Sequence, residues 1–507
     1  MAEEKELPAP AEIETQLERI VAGRTFATSP TPRKLLEEIV KSEQRGEAIT
    51  EYELGILVCG KPEGWNPKFE NAIRQQGVNL RKLLRKYYSG EGKEDLVIIN
   101  VPKRRGYKPD YQYNPITRSL RLYRRAVEVF DQTFPQITPT ATSPVLDTLR
   151  DSIKANNAHA PAHAAMGEIL LLYTMCDEPT YFSPKWTVAQ AELASRTCLS
   201  LDPEHWLAHM VIAAVHCCRF EWEEAERAFE AALGIEREKT TRHFFYLAYL
   251  AAIGRIEDSI RLARRRWQSS EETELVYLPE LFFGYISRDY GQTYQDFMKY
   301  SKAWDFTMNQ VAYEIGLEIL LCNWWPTEVL LACIVLGLGS EYGALHYAES
   351  GSEHSRSNCY AGVKGLALAS LGKCDPQYSP GHRQIEYGRR AAALLEAMEE
   401  NPEWFGPVNM ALMYTGLGRN QEAIEHLGKA CDENDPLMVW LHLWPMLDPL
   451  REEKGFKALI QRMNLPSSAL ASAAALRAAG AVHAAAAAEQ IAIARRKFAR
   501  GFEGPAD

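Results

Sequence analysis

Between Phe69 and Tyr113 the hydrophobic period of the chain changes, and that change limits what the surrounding residues can build. Phe69, Ala72, Ile73, Leu80, Leu83, Leu84 and Tyr87 recur at three- and four-residue steps and make one apolar stripe of a long helix. Arg74, Arg81 and Arg85 fall on another face with Lys82 and Lys86 beside them, and no acid interrupts Asn71 to Gly90. The chain then turns β-branched from Leu96 to Val101. Lys103 to Gly106 reads as a turn, and Tyr107 to Tyr113 can pair back as a second strand. Five bases without an acid, directly before a basic turn, point to a nucleic-acid face rather than to a solvated one.

Three shorter helices are expected upstream. Glu12 to Val21 carries Ile13, Leu17 and Ile20 on one side, and Lys34 to Val40 follows Pro32 with Leu35, Leu36 and Ile39. Thr50 and Glu53 form a capping box, from which Tyr52, Leu54 and Leu57 are expected to pack inward. Three helices, a basic helix and a hairpin are the order of a winged helix–turn–helix, in which the basic helix enters the DNA major groove. Arg74, Gln75, Asn79 and Arg81 are the candidates for base contact. Lys82, Arg85, Lys86, Lys103, Arg104 and Arg105 are the candidates for phosphate contact.

The segments QLERIVAGRTFATSPTPRKLLEEIV, ITEYELGILVCG, AIRQQGVNLRKLLRKYY and LVIINVPKRRGYKP resemble the N-terminal winged-helix module of a class of soil-bacterial proteins. The hairpin resembles the OmpR-type wing. In that class the module precedes tetratricopeptide (TPR) repeats. Gln75 and Asn79 stand where the class usually carries an apolar residue and an arginine, and Gly77 interrupts the helix at about 1 kcal/mol relative to alanine.

The 507 residues suggest about three domains. Net charge is −10, whereas residues 31–113 hold 16 Lys/Arg against 12 Asp/Glu, so a basic module sits on an acidic body. Gln136 to Pro144 has linker composition, and helical repeats follow. In FGPVNMALMYTGLGRNQEAIEHLGKACDENDP, Ala411, Tyr414, Gly418, Ala423, Leu427 and Ala430 occupy the small and large TPR positions, with Pro436 closing. Ala213, Ala225, Phe229 and Ala232 match the same offsets; Gly254, Ser259 and Ala263 mark another unit, Gly365 and Gly372 another, and Gly167 an earlier first helix. Each pair buries its apolar face only by stacking on neighbours, which leaves an inner face for a partner. The stretch from Cys431 to Pro466 resembles the terminator of such arrays, and 467–507 is an alanine-rich basic tail.

The expected fold is therefore mainly α: an N-terminal winged helix–turn–helix domain with a small β-hairpin wing, followed by an α-α superhelical TPR array. The expected divisions are a disordered leader over 1–11, the winged domain over 12–113, a helix and linker over 114–144, the repeats over 145–466 and the tail over 467–507.

No chemical site competes with this reading. The ten cysteines form no C-x-x-C pair and read as reduced core thiols, Cys217 and Cys218 included. His159 with His163, and His205 with His209, have the i, i+4 spacing of some metal ligands, but no third ligand follows at a diagnostic spacing. The glycines of 337–343 read as packing or turn glycines rather than a dinucleotide loop. No enzyme, catalytic residue, cofactor or metal is expected. The acidic start lacks a signal-peptide core, and the longest apolar run, Trp324 to Leu338, is broken by Pro326, Thr327 and Glu328; a cytoplasmic protein with no membrane partner is expected. The partners implied are double-stranded DNA and a peptide or protein in the TPR groove, with homo-oligomers or tandem sites to strengthen DNA binding. The function implied is a transcription regulator whose array senses or docks a peptide, protein or small molecule. The alternative is a TPR scaffold or adaptor whose winged helix docks protein.

Overall fold

The structure, a computed structural model, describes residues 7–68, 70–103, 107–133, 139–174, 183–268, 359–373 and 381–480, with isolated residues between 285 and 349. Two compact units divide the chain: Met1–Arg125 with Arg150–His159, and Ala126–Leu149 with Ala160–Asp507.

In the first unit, α1 (Pro10–Ala22), α2 (Arg24–Ala27), α3 (Pro30–Gln44), α4 (Glu51–Cys59) and α5 (Ala72–Tyr88) precede an antiparallel pair, β1 (Val97–Asn100) and β2 (Asp110–Tyr113). Val97 lies opposite Tyr113 and Asn100 opposite Asp110. The apolar stripes converge as their spacing predicts: Ile13, Leu17 and Ile20 of α1, Leu35, Leu36 and Ile39 of α3, Leu54 of α4, and Ile73, Leu80 and Leu84 of α5 share one core with Val97 and Ile99. Asp95 ties three elements together. Its carboxylate accepts from Tyr87 Oη at 2.7 Å and Gln16 Nε2 at 2.7 Å, and pairs with Arg19 at 3.2 Å.

Helix α4 starts on the expected capping box, with Glu53 N–H donating to Thr50 Oγ1 at 3.2 Å and Thr50 N–H to the Glu53 carboxylate at 2.7 Å. Its inward face differs from the expectation. Leu54 is buried, but Tyr52 and Leu57 are exposed. For Tyr52 the cause is Trp65, whose ring lies so close to Gly55 that a Cβ there would sit 1.9 Å from it. The loop tryptophan thus takes the place beside Leu54, and Tyr52 stacks on it from outside, with ring centroids 6.4 Å apart.

Helices α6 (Pro115–Thr133) and α7 (Pro139–Ala155) follow. Residues 139–144, expected as linker, are the first turns of α7; a proline at the first helical position loses no hydrogen bond. Ser119 and Ser152 join the two helices at 3.0 Å in the first unit.

The second unit contains consecutive packed helix pairs: α8 (Ala160–Thr174) with α9 (Pro184–Leu201), α10 (Trp206–Cys218) with α11 (Trp222–Ile235), and α13 (Phe244–Ala252), after the short α12 (Arg237–Arg242), with α14 (Ile256–Gln268). Further along, α15 (Cys359–Lys373) packs on α16 (Gly381–Glu400) and on α17 (Pro402–Leu417), and α17 packs on α18 (Asn420–Asp432). Small residues permit the approach. A Cβ on Gly167 would lie 2.5 Å from Ser195 Oγ, and one on Gly416 2.8 Å from Leu366 Cα. Ala213, Ala225, Ala232, Ala411, Ala423 and Ala430 are all buried at these seams.

Two 3₁₀ segments, Pro436–Trp440 and Pro445–Leu450, and α19 (Lys454–Arg462) come next. The first segment packs on α10, α13 and α18 at once, and the second on α17. Trp440 Nε1 donates to Ala248 O at 3.0 Å, and Trp222 Nε1 to Met463 O at 2.7 Å. Residues 436–440 therefore cover α10 and α13, whose residues are buried nearly all round. The face that the sequence leaves to a partner is, along these two helices, filled by the chain itself. Residues 467–480 form a helix that docks through buried Ala469 and Ala473, with Ser468 against the Gly254 turn. The bases expected at 495–500 and the glycine cluster of 337–343 lie outside the described residues.

Candidate nucleic-acid interface

Helix α5 positions most of the predicted contacts. Gln75, Asn79, Lys82 and Lys86 recur at four-, three- and four-residue steps and form one exposed line along it. Val78 and Arg85, seven apart, flank that line and are also exposed. Val78, 54% exposed, was not singled out by sequence reasoning; its signal is an apolar residue off the buried stripe of an otherwise polar face.

Arg74 and Arg81, again seven apart, are placed differently. Arg74 Nε donates to Glu51 Oε1 at 3.0 Å, and its Nη2 reaches Glu51 Oε2 at 3.5 Å and Pro67 O at 3.2 Å. Arg81 is half-buried, and its Nε donates to Val101 O at 2.6 Å, which fastens α5 to the chain leaving β1. The structure therefore does not join these two arginines to Gln75 and Asn79. Sequence reasoning missed Glu51 because it lies some twenty residues away on α4, where it reads only as a first-turn acid.

Gly77 explains part of this geometry. It is buried, and a Cβ there would meet the Tyr107 ring at 3.3 Å and the Arg81 guanidinium at 3.4 Å. The missing side chain gives both groups room, so the helix-propensity cost has a packing counterpart. Burial of Tyr107 pushes its phenol up to about 12, so it stays neutral. Lys103 is exposed beyond β1, whereas Arg104 and Arg105 lie outside the described residues, as does Phe69.

The acids bordering this face are engaged. Glu51 holds Arg74, Glu70 pairs with Lys61 at 2.5 Å, and Glu91 accepts the Arg24 and Thr25 amides at 3.0 and 2.7 Å. The line from Gln75 to Lys86 thus presents amides and an isopropyl group first and cations after them.

The histidine pairs are used elsewhere. His159 Nδ1 lies 2.8 Å from Ser119 Oγ, and His209 Nε2 3.0 Å from Pro203 O. Burial depresses the His205 imidazole, and among the described residues no group of three or more His, Cys, Asp or Glu side chains is arranged to hold a metal ion. Cys217 and Cys218 are free thiols, and burial pushes both up, Cys218 to about 12, which opposes formation of the reactive thiolate.

No family model matches the chain, and no curated protein matches it. Among solved structures, the chain is similar to the TPR domain of P58(IPK) at 12% identity, covering 78% of this chain and 95% of that one, with a TM-score of 0.19. No helix among the described residues is long and apolar enough to cross a membrane.

Proposed function

We propose that this chain is a helical-repeat scaffold whose second unit docks a peptide or protein partner. The observation that carries the reading is the exposed face of α9. Trp186, Leu193 and Leu201 fall within one helical face and are 42%, 60% and 43% exposed. Large apolar side chains concentrated on one exposed helix mark an interaction surface more than scattered ones do. The partner belongs on this face rather than along α10 and α13, which residues 436–440 cover. The test is partner capture from cells by wild type and by a Leu193→Lys, Leu201→Lys variant with unchanged thermal unfolding. Identical captured proteins would refute this placement.

A second reading is favoured by a separate observation, the exposed line Gln75–Asn79–Lys82–Lys86 with no acid in its helix. In that reading the first unit is a winged helix that holds double-stranded DNA, and the scaffold brings its protein partner to it. Lys82, Arg85, Lys86 and Lys103 contact phosphates. Replacing three of them by alanine reduces the dependence of log K on log salt by about 0.9 for each phosphate that is no longer neutralised. An unchanged slope would exclude this helix as the DNA-binding element.

A further inference from the structure

We infer that the α5 face reads A·T base pairs, through Gln75, Val78 and Asn79 together; this rests on the DNA reading above. In the major groove, arginine or lysine pairs with the N7 and O6 of guanine. Asparagine or glutamine pairs with the N6 and N7 of adenine, and an apolar side chain packs on the thymine methyl. A helix with two arginines in its first half would ordinarily favour guanine. Here both are engaged within the protein: Arg74, though 56% exposed, donates to the Glu51 carboxylate and the Pro67 carbonyl, and half-buried Arg81 donates through Nε to the Val101 carbonyl.

Apart from Arg74, which is exposed but paired with Glu51, the first half of α5 presents two amides around one isopropyl group. Gln75 and Asn79 lie one helical turn apart, and Val78 beside Asn79 is exposed over half its surface. Four residues of helix span about 6 Å, close to two base-pair steps of about 3.4 Å. The amides therefore meet adenine edges two base pairs apart while Val78 meets a thymine methyl of the pair between them. Lys82, Arg85 and Lys86 begin one turn later and follow the backbone, where a flexible ammonium acts as a point charge. An isopropyl group exposed in the middle of a polar face has no role in a purely electrostatic contact.

The test uses the full chain and a random-sequence duplex library, with retained duplexes sequenced after several rounds. The selected duplex is then remade with deoxyuridine for thymidine, which removes only the methyl, and with 7-deazaadenine for adenine, which removes only N7. A·T steps are enriched, the deoxyuridine duplex binds wild type several-fold more weakly, and Val78→Ala abolishes that difference while still binding. The 7-deazaadenine duplex loses affinity for wild type and not for a Gln75→Ala, Asn79→Ala variant. Enrichment of guanine-centred steps, or equal affinity for the thymidine and deoxyuridine duplexes, overturns the inference while leaving DNA binding intact. Retention of no duplex at low salt overturns the DNA reading and the inference with it.

Discussion

Trp440→Ala tests whether residues 436–450 hold distant repeats together. The side chain is 1% exposed, packs edge-on to Phe244 at 6.5 Å and donates to Ala248 O at 3.0 Å. Truncating a buried tryptophan costs about 3–5 kcal/mol through lost transfer energy and the cavity left behind. At about 1.4 kcal/mol per tenfold, that raises the opening equilibrium of the segments it joins by roughly two to three and a half powers of ten. Amide hydrogen exchange read by mass spectrometry reports the change segment by segment. In an ordinary solenoid each repeat touches only its neighbours, so damage at 440 would stay near α18 and α19. Here the segment touches α10, α13 and α18, so protection falls in all three, though about 190 residues separate Trp440 from Ala248. Trp440→Phe, which keeps one aromatic ring but loses the N–H and part of the bulk, produces a smaller shift, about 1–3 kcal/mol, in the same segments. Unchanged protection in α10 and α13 of the alanine variant would refute the reasoning.

Other consequences concern charge and packing. On the DNA reading, Glu51→Gln frees Arg74 and raises duplex affinity of the full chain several-fold at low salt, with a steeper salt dependence, in an anisotropy titration. Gly55→Ala forces a Cβ into the Trp65 ring and destabilises the first unit by about 1–3 kcal/mol despite alanine's helix propensity, read by urea unfolding. Burial depresses His442 to about 3 from an ordinary 6.5, so the unfolded chain binds its proton first. The neutral imidazole's contribution is complete above pH 6.5 and is lost as pH falls from 6.5 towards 3; His442→Phe flattens that part of the stability profile. Burial raises Asp435 to about 6 from 3.8, so its contribution runs the other way, and stability falls as pH rises from about 4 to 6. Asp435→Asn removes this slope in thermal unfolding measured across that range.

The sequence makes the helices of the first unit legible because their apolar residues repeat on the helical period and Thr50 and Glu53 mark a start. The repeats are legible for a similar reason: alanines and glycines fall where helices touch. Long-range partners are not legible. Nothing local to Arg74 or Arg81 shows that Glu51 and the Val101 carbonyl claim their guanidinium groups, so both read as base contacts. Tyr52 reads as core because Trp65, which takes the inward place, lies in a loop with no periodicity. The apolar run from Leu437 to Leu450 reads as a terminator, but the packing of its first segment against α10 and α13 spans about two hundred residues that no pattern connects. Val78 escaped notice because a single valine in a helix ordinarily belongs to the core.

The scaffold reading is tested most directly by a photo-reactive side chain placed at Leu193 on the exposed face of α9, with the same group at Arg227 of α11 as a control on another exposed helix. Irradiation in cells followed by mass spectrometry identifies what lies within reach of each position. The account predicts a discrete protein adduct at 193 that is absent at 227 and is lost when Leu201→Lys is added. The same adducts at both positions, or none at 193, would contradict it.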